Sequence, residues 1–414
     1  MDSLLVGSKS ENVNINLGVS IPLSTGGTLS FELGDNLNKT NSAWSTMNPS
    51  YTSSLTASIS QPLLKNAGKR AFTYSIRVAQ YNSSMNDLRT KLAVMQIIAN
   101  ADRAYWGLYA ARKMLDVRKQ QYDLAKTVLE ETERFVEVGV KPRIEVIRTR
   151  RDLADKLTAI IDAENNVRER ERDLKRMLNK KGLGMETKTL LIPSSLPDPV
   201  RYELDRNQMV QNALLNRMEL LELELQLEKD SMTIEYNRNQ TLPDLSFEYR
   251  YNIDGLGADR RDSYDMLADN DYHDHQVGIS LNVPIGNKRA KSVLRQSIYE
   301  RAKRLSTKES REAEIRNDVL NKIDKLEAKW QSILANRQNT ILSDEQYRAE
   351  KRQYELGLVN SRDVMEAQTN LAAAQSAEIT ALTDYQTALI DLAYATGTLL
   401  GASRIEWEPV VPAE

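Results

Sequence analysis

Two short stretches of this sequence share one layout, FVEVGVKPRIEVIRTR at residues 135–150 and YELGLVNSRDVMEAQT at residues 354–369. In each stretch a glycine, Gly139 or Gly357, separates two long runs of helix-forming residues. Glycine at such a position favours the left-handed conformation that ends a helix. Both stretches therefore predict a tight turn between two helices.

The two turns belong to a larger internal repeat. Gly139 and Gly357 are in register at an offset of 218 residues. At that offset the downstream segments match over roughly 35 residues without a gap, and self-similarity of this kind marks a repeated structural unit. Matching pairs include Val146 with Val364 and Leu153 with Leu371. The sequence thus predicts two copies of one helical hairpin.

A long helix is predicted before each turn, because residues 68–138 and 287–356 contain no proline. Apolar residues repeat every seven positions in both tracts, which is the pattern of a coiled-coil seam. At 1.5 Å per residue, each tract would form a helix roughly 100 Å long. The first series is Val94, Ala101, Leu108, Leu115, Tyr122, Leu129 and Val136, and the second is Val319, Leu326, Ile333, Thr340, Tyr347 and Tyr354.

Alternating apolar and polar residues precede each long helix, which is the period of a strand with two different faces. We count four such strands, two before each helix, with the pairs ending at Pro62 and Pro284. They suit either a half-buried sheet in a soluble protein or a transmembrane β-barrel. Four strands cannot close a barrel, which needs about eight, but three chains together would supply twelve. The strands lie within residues 12–62 and 243–284, with polar loops at about 37–50 and 254–274.

Composition excludes several functional classes. The 414 residues include 56 Lys and Arg against 58 Asp and Glu, a net charge of −2 that offers no basic excess for nucleic acid. No cysteine and only two histidines are present, which argues against thiolate or multi-histidine metal sites and against cysteine or histidine catalysis. The acidic residues follow the spacing of a solvated helix surface. We therefore predict no catalytic residue, no cofactor and no metal ligand.

Several short motifs accompany the repeat. In each turn the glycine is followed six residues later by an acid and valine, here Glu145-Val146 and Asp363-Val364. Further motifs are Gln61-Pro62-Leu63-Leu64, Ala104-Tyr105-Trp106, and ALLNRMEL at 213–220 leading to LPDLSFEY at 242–249. With these motifs the chain resembles, over nearly its whole length, the TolC family of outer-membrane efflux and secretion channels. The resemblance implies a mainly α fold with a small β part. Three chains would form an α-barrel and share one twelve-stranded transmembrane β-barrel.

The resemblance and the repeat together give an expected organisation of the chain. A signal peptide and a first helix precede the strands in the family, so we expect that the sequence lacks that part of a full member. The expected segments are a first repeat at 1–182 (strands about 12–62, long helix 68–138, short helix 142–181), a linker at 183–205, a second repeat at 206–401 (helix 206–240, strands 243–284, long helix 288–356, short helix 359–400) and a tail at 402–414.

By resemblance, the helix turns, whose tips are Gly139 and Gly357, would close the periplasmic end of the channel. Asp363 and Glu366 match two acids that ring the constriction, with glutamate replacing the aspartate of the family at the second position. Tyr354 matches a gate tyrosine that bonds the acid of the other hairpin, here Glu145. Some members also carry an arginine two residues after the second glycine, where this chain has Val359.

The function implied is a passive duct of a tripartite efflux or type I secretion system. Implied partners are two further copies of the chain, a periplasmic adaptor, an inner-membrane pump of the RND or ABC type and outer-membrane lipid. Two other classes use coiled coils: a periplasmic adaptor, which predicts one hairpin flanked by compact β domains, and a cytoplasmic scaffold, which leaves the strands unexplained. The stretch DNDYHDH at 269–275 holds His273 and His275 and suits either a metal site or an exposed polar loop.

Overall fold

The computed structural model describes residues 9–408. Helices dominate this part and the strands form one small antiparallel sheet, so the predicted mainly α fold is confirmed. None of its helices is both long enough and apolar enough to cross a membrane. In chain order the elements are β1 (Ser10–Pro22), β2 (Thr28–Thr40), β3 (Ser50–Pro62), α1 (Lys69–Phe72), α2 (Tyr74–Glu137), α3 (Ile144–Leu178), α4 (Arg206–Asn216), α5 (Met218–Asn239), β4 (Asp244–Gly257), α6 (Arg260–Asp269), β5 (His273–Asn282), α7 (Lys288–Glu355), α8 (Ser361–Ala395) and α9 (Leu399–Ala402).

The chain divides into two compact units, and each combines two separate stretches of sequence. One unit holds the described residues up to Met85 together with Leu223–Thr307, and it contains the sheet. The other holds Asn86–Glu222 and the described residues from Lys308 onward. Both helix turns belong to the second unit, so the site that the sequence predicts lies within one unit.

The sheet of the first unit has one apolar and one polar face. Its strand order is β1-β2-β3-β4-β5, and every neighbouring pair is antiparallel. One row of cross-strand partners runs Val19, Phe31, Ala57, Tyr251 and His275, whereas the next residue along each strand is polar or glycine. Because side chains alternate along a strand, this register collects the apolar residues on a single face.

The expected count of four strands is wrong, because the described sheet has five. Residues 10–36 span two strands, which reverse at Gly26, where φ is 92° and the Leu23 amide donates to the Gly27 carbonyl at 2.8 Å. A two-residue period continues through such a turn, so alternation alone does not show where the chain reverses. Within the described residues, β1 pairs only with β2 and lies at the edge of the sheet.

The segment predicted as a polar loop at 254–274 instead contains the end of β4 and the helix α6. This helix lies on the apolar side of the sheet, where the Ser53 hydroxyl donates to the Ser263 carbonyl at 2.7 Å. Gly255 makes the approach possible, because a Cβ there would collide with the same carbonyl oxygen. Arg260 of α6 also pairs with Asp35 of β2 at 2.8 Å.

The helix predicted at 206–240 is interrupted at Arg217, which has φ −70° and ψ 121° and separates α4 from α5. Its guanidinium binds the carboxylate of Glu219 at 2.7 Å and that of Asp318 on α7 at 3.1 Å. It also donates to the Ala395 carbonyl at the end of α8 at 3.2 Å. The break therefore places the cation of Arg217 between α5, α7 and the end of α8. Helix propensity does not predict this break, because it takes no account of such contacts.

The predicted seam of α7 is confirmed at five of its six positions, which are buried, while Thr340 is half-buried. In α2 the predicted series is displaced: Tyr122 and Leu129 are only half-buried, and the preceding residues Gln121 and Val128 are buried. Gln121 and Thr132 lie in this seam as polar side chains with hydrogen-bond partners, so a search for apolar residues misses them. The buried positions near the turn are Gln121, Ala125, Val128 and Thr132.

Residues 179–205 form neither helix nor strand, and they are bound along the helices of the second unit. The Leu191 amide donates to the buried carboxylate of Glu171 on α3. The Ser195 amide donates to the Tyr105 hydroxyl on α2 at 2.9 Å. These two contacts hold the middle of the proline-rich segment against α3 and α2, although the segment has no regular secondary structure.

Asp391 of α8 is the centre of a buried charge cluster that joins three helices. Its carboxylate, only 7% exposed as a residue, binds Arg103 of α2 at 2.6 Å and Lys322 of α7 at 3.2 Å, with Lys325 at 3.8 Å. Burial alone would raise the pKa of this carboxyl group. The hydrogen bond from Arg103 and the charge of Lys322 outweigh burial, so the pKa of Asp391 lies below its ordinary value.

Asp391→Asn is expected to lower the free energy of unfolding by roughly 2 kcal/mol at neutral pH, because it removes the buried carboxylate that is the shared counter-charge of three partly exposed cations. A carboxyl whose pKa is lowered by folding stabilises the protein above its unfolded pKa and loses that effect as the pH falls through the folded value. The difference between wild type and variant should therefore shrink below about pH 4. Denaturant unfolding followed by circular dichroism at both pH values measures it.

The matched control is Asp384→Asn, which removes another ion pair between α8 and α7, with Lys329 at 2.6 Å. This carboxylate is 43% exposed, so its loss should change the unfolding free energy by less than about 1 kcal/mol. Equal losses in the two variants would contradict the role assigned to the Asp391 cluster.

Candidate gate at the helix turns

Gly139 and Gly357 form two turns with the same backbone geometry. Their φ angles are 78° and 75°, in the left-handed region that glycine tolerates best. After each glycine the next amide reaches back into the preceding helix: Val140 donates to Phe135 at 2.8 Å and Leu358 to Gln353 at 3.0 Å. This bonding pattern satisfies carbonyl groups at the helix end. The structure therefore places both predicted glycines at helix turns.

The second turn leads into α8 through a capping box. The Asn360 amide donates to Asp363 Oδ2 at 3.1 Å, and the Asn360 side chain accepts from the backbone at Asp363. Such reciprocal bonds satisfy two free amides at the start of a helix. The Asp363 side chain remains exposed, as does that of Glu366 one turn later. Both carboxylates are thus available to solvent beside the turn.

Tyr354 is fully buried at the end of the α7 seam. Its ring packs with Val128 of α2 and Val364 of α8, and it meets the edge of Phe135 at a centroid distance of 5.7 Å. Its hydroxyl shares a 2.6 Å hydrogen bond with the Thr132 hydroxyl on α2. Burial raises the pKa of Tyr354, so the phenol stays neutral at physiological pH.

Glu145 is buried at the start of α3 and contacts the start of α8. Its carboxylate accepts a hydrogen bond from the Ser361 hydroxyl and pairs with Arg148 at 2.6 Å. Tyr354 and Glu145, which the family resemblance pairs directly, thus have different hydrogen-bond partners in this structure. The tyrosine hydroxyl lies against Thr132 in the seam, and the carboxylate is held by Ser361 on the other side of the turn.

Lys141 is a member of this site that sequence reasoning missed. Its amine lies 3.3 Å from the ring centroid of Tyr354 and 5.2 Å from that of Phe135. It also donates to the Val359 carbonyl of the second turn at 3.4 Å. Burial lowers the pKa of Lys141, and the nearby Glu145 carboxylate opposes that change. One sequence signal was available, since Lys141 is the repeat counterpart of Val359 at the offset of 218.

The histidines of the DNDYHDH stretch open β5 rather than lying in a loop. His275 Nδ1 is 2.9 Å from the Tyr249 hydroxyl, and the rings of His273 and His275 are 5.7 Å apart. Within residues 9–408, no three His, Asp or Glu side chains come together as a metal site would require. The strand pairing accounts for these contacts.

Glu145→Ala is expected to lower the unfolding free energy by roughly 2 kcal/mol, because Ser361 and Arg148 lose a buried charged acceptor. Hydrogen exchange should also become faster at the amides of residues 356–364. The matched control, Glu366→Ala, removes an exposed carboxylate from the same region and should change stability by less than about 0.5 kcal/mol. If both variants behave alike, Glu145 does not fix the turns.

Comparison with known proteins yields a family match. The sequence matches the family described as outer membrane efflux protein over residues 28–180 and 209–398, which is most of the chain. No curated protein matches the sequence significantly.

Several solved outer-membrane channels share the fold at low sequence identity. The CmeC channel of Campylobacter jejuni is 14% identical, with a TM-score of 0.69 over 96% of this chain and 79% of that one. VceC of Vibrio cholerae is 13% identical, with a TM-score of 0.70 over 94% and 87%. The open state of the Neisseria gonorrhoeae MtrE channel is 17% identical, with a TM-score of 0.65 over 96% and 82%.

Proposed function

We propose that this chain, which belongs to the outer membrane efflux protein family, forms the outer-membrane duct of a tripartite export system. The family places the protein in the outer membrane, extending into the periplasm, and its members are channels that work with adaptor and inner-membrane pump partners. The proposed duct conducts substrate passively, with transport driven by the pump. An inner-membrane pump of the RND or ABC type would supply the energy for transport and would connect to the duct through a periplasmic adaptor.

The observation that carries the proposal is the exposed apolar face of the sheet. Leu17 of β1 is 69% exposed and Ile279 of β5 is 72% exposed, although both point to the apolar side. Their neighbours Asn16 and Ser280 lie on the polar side. A sheet in water would bury the first face, whereas a sheet in a membrane turns it to lipid and the polar face to an aqueous lumen.

The sheet is also open at both edges in the described chain, where β1 and β5 each pair on one side only. Open edges at membrane depth leave backbone groups without partners, so a membrane sheet must close on itself. This supports closure with further copies of the chain, and we propose a homotrimer with a shared barrel. The two helix pairs, α2 with α3 and α7 with α8, do not suit an adaptor with a single hairpin.

In the trimer, the turns of three chains would surround one axis. Three copies of the exposed Asp363 and Glu366 carboxylates would then form a ring of negative charge. Such a ring attracts cations and repels anions at a narrow constriction. Glu145 and Tyr354 are buried, so in this proposal they support the turns and do not face the passing substrate.

Ile279→Lys and Ser280→Lys form a matched pair that tests the membrane sheet. Both side chains are exposed in the single chain, so both variants would be harmless in a water-soluble sheet. In a barrel, a lysine facing lipid near the bilayer centre costs about 2–4 kcal/mol, whereas one facing the lumen is tolerated. We expect Ile279→Lys to reduce the yield of assembled outer-membrane protein strongly and Ser280→Lys to leave it near the wild-type level.

Membrane separation on a sucrose gradient, detergent extraction and light scattering give the location and the mass of the assembly. Wild-type protein should be recovered from the outer membrane as a detergent-requiring particle of three chains. Recovery as a water-soluble monomer, or equal yields of the two lysine variants, would refute the proposed duct.

Asp363→Asn combined with Glu366→Gln should reduce the preference for cations over anions in planar bilayers, because it neutralises the ring without changing its size. The reversal potential in a salt gradient measures the effect. The control Asp344→Asn removes a carboxylate from the body of α7, where it pairs with Arg348 at 2.7 Å. An unchanged reversal potential in the double variant would show that these carboxylates do not border the conducting path.

A further inference from the structure

A single amine connects the two helix turns. Lys141 lies two residues after Gly139 in the first turn, and its Nζ is 3.3 Å from the ring centroid of Tyr354 at the end of α7. The same Nζ donates to the Val359 carbonyl in the second turn at 3.4 Å. One side chain of the first hairpin therefore contacts both the last buried ring and the turn backbone of the second.

The contact is suited to a cation. Tyr354 presents its ring face to the amine, and the Phe135 ring is 5.2 Å away, so two aromatic groups border the charge. Ring faces attract a cation, and the attraction is stronger when water is displaced. The Val359 carbonyl oxygen supplies a further negative partial charge. The charged group that faces Lys141 from α3 is Glu145, whose carboxylate is already bound to Ser361 and Arg148.

Repeat symmetry explains why this cation belongs to the first turn. Lys141 and Val359 occupy equivalent positions in the two repeats, separated by the same 218 residues as the two glycines. The second turn has the apolar Val359 at that position, so only the first turn carries a cation there. Two equivalent positions thus meet, one giving an amine and the other a backbone carbonyl.

We propose that Lys141 is a latch that holds the two helix turns together, so that its amine must leave the Tyr354 ring before the turns can separate. The proposal rests on the proposed duct and adds to it the positioning residue that keeps the turns closed at rest. Tyr354 is the fixed part of the latch, because its ring is buried among residues of α2, α7 and α8 and its hydroxyl is tied to Thr132. Lys141 is the movable part, because it lies in a turn on a flexible side chain.

The first test is the single-channel activity of the purified protein in planar bilayers. Lys141→Met keeps an unbranched side chain on the ring and removes the charge. A cation–π contact at a half-buried lysine corresponds to roughly a tenfold change in an equilibrium constant, so the open probability should rise about tenfold. Lys141→Arg retains a cation that stacks on aromatic rings and should remain as closed as the wild type.

The matched control is Lys156→Met. Lys156 of α3 also reaches α8, donating to the Thr369 hydroxyl at 3.2 Å and pairing with Asp152 at 3.5 Å. It joins the same two hairpins without touching the turns or their rings, so its loss should leave the open probability unchanged. A similar rise in both variants would mean that any lost lysine bridge loosens the helices, and it would overturn the latch.

The second test measures the separation of the turns directly. The chain has no cysteine, so Val138→Cys and Leu358→Cys give one spin-label pair at two exposed positions beside the turns. Pulsed electron resonance is then recorded on detergent-extracted protein, with labelled chains diluted among unlabelled ones. The distance distribution should be narrow in wild type and Lys141→Arg, and longer and broader in Lys141→Met. Circular dichroism should show the same helix content in all three.

The two tests separate failure of the latch from failure of the duct. An unchanged distance distribution in Lys141→Met overturns the latch whatever the conductance does, because a raised conductance would then reflect only a charge removed from the ion path. If neither the wild type nor Lys141→Met conducts but the distance lengthens in Lys141→Met, the duct is refuted while the contact between the turns stands.

Discussion

The interaction on which the second unit depends is the burial of one narrow seam along α7. Val319 and Tyr354, five heptads apart in register, are both fully buried. Between them Leu326, Ile333 and Tyr347 are buried at the same period, and Ile323 is buried four residues after Val319. A helix that buries only a narrow row of residues gains little from each contact, so the row must extend along much of the helix to hold its neighbours. Its last member, Tyr354, therefore sets where the second turn begins.

Two polar contacts in the seam join neighbouring helices, although the buried Tyr347 hydroxyl in the same seam has no hydrogen-bond partner among the described residues. The Gln368 side chain of α8 donates to the Gln121 carbonyl of α2 at 2.7 Å, and Thr132 pairs with Tyr354. Burying such groups without hydrogen bonds would cost stability. These pairs consequently fix the register between helices, since a shift by one residue would leave each of them unsatisfied. The ion pairs of Asp391, nearer the other end of α8, fix the register between helices in the same way.

The two turns have equal backbone geometry and different chemistry. The second begins α8 with the Asn360 capping box, whereas Arg143 at the start of α3 forms no side-chain cap. The first turn instead carries Pro142, which favours a helix start, and Lys141, which reaches across to the second. Divergence between two repeats has thus allowed one turn to supply the partner for the other. A channel that opens at these turns would have to break contacts between the hairpins, and Lys141 makes one that is accessible from the turn itself.

Local pattern alone predicts the long helices, the glycine turns and the two-faced strands, because each depends on the period and conformational preference of neighbouring residues. It also yields the α7 seam, where the buried side chains are apolar. Alternation does not separate β1 from β2, because the two-residue period is the same on both sides and only the Gly26-Gly27 turn marks the reversal. Nor does local pattern yield the break at Arg217 or the partner of Tyr354. Those follow from which side chains the packed helices bring within hydrogen-bonding distance, and residues as far apart as Thr132 and Tyr354 come together only when the whole seam is formed.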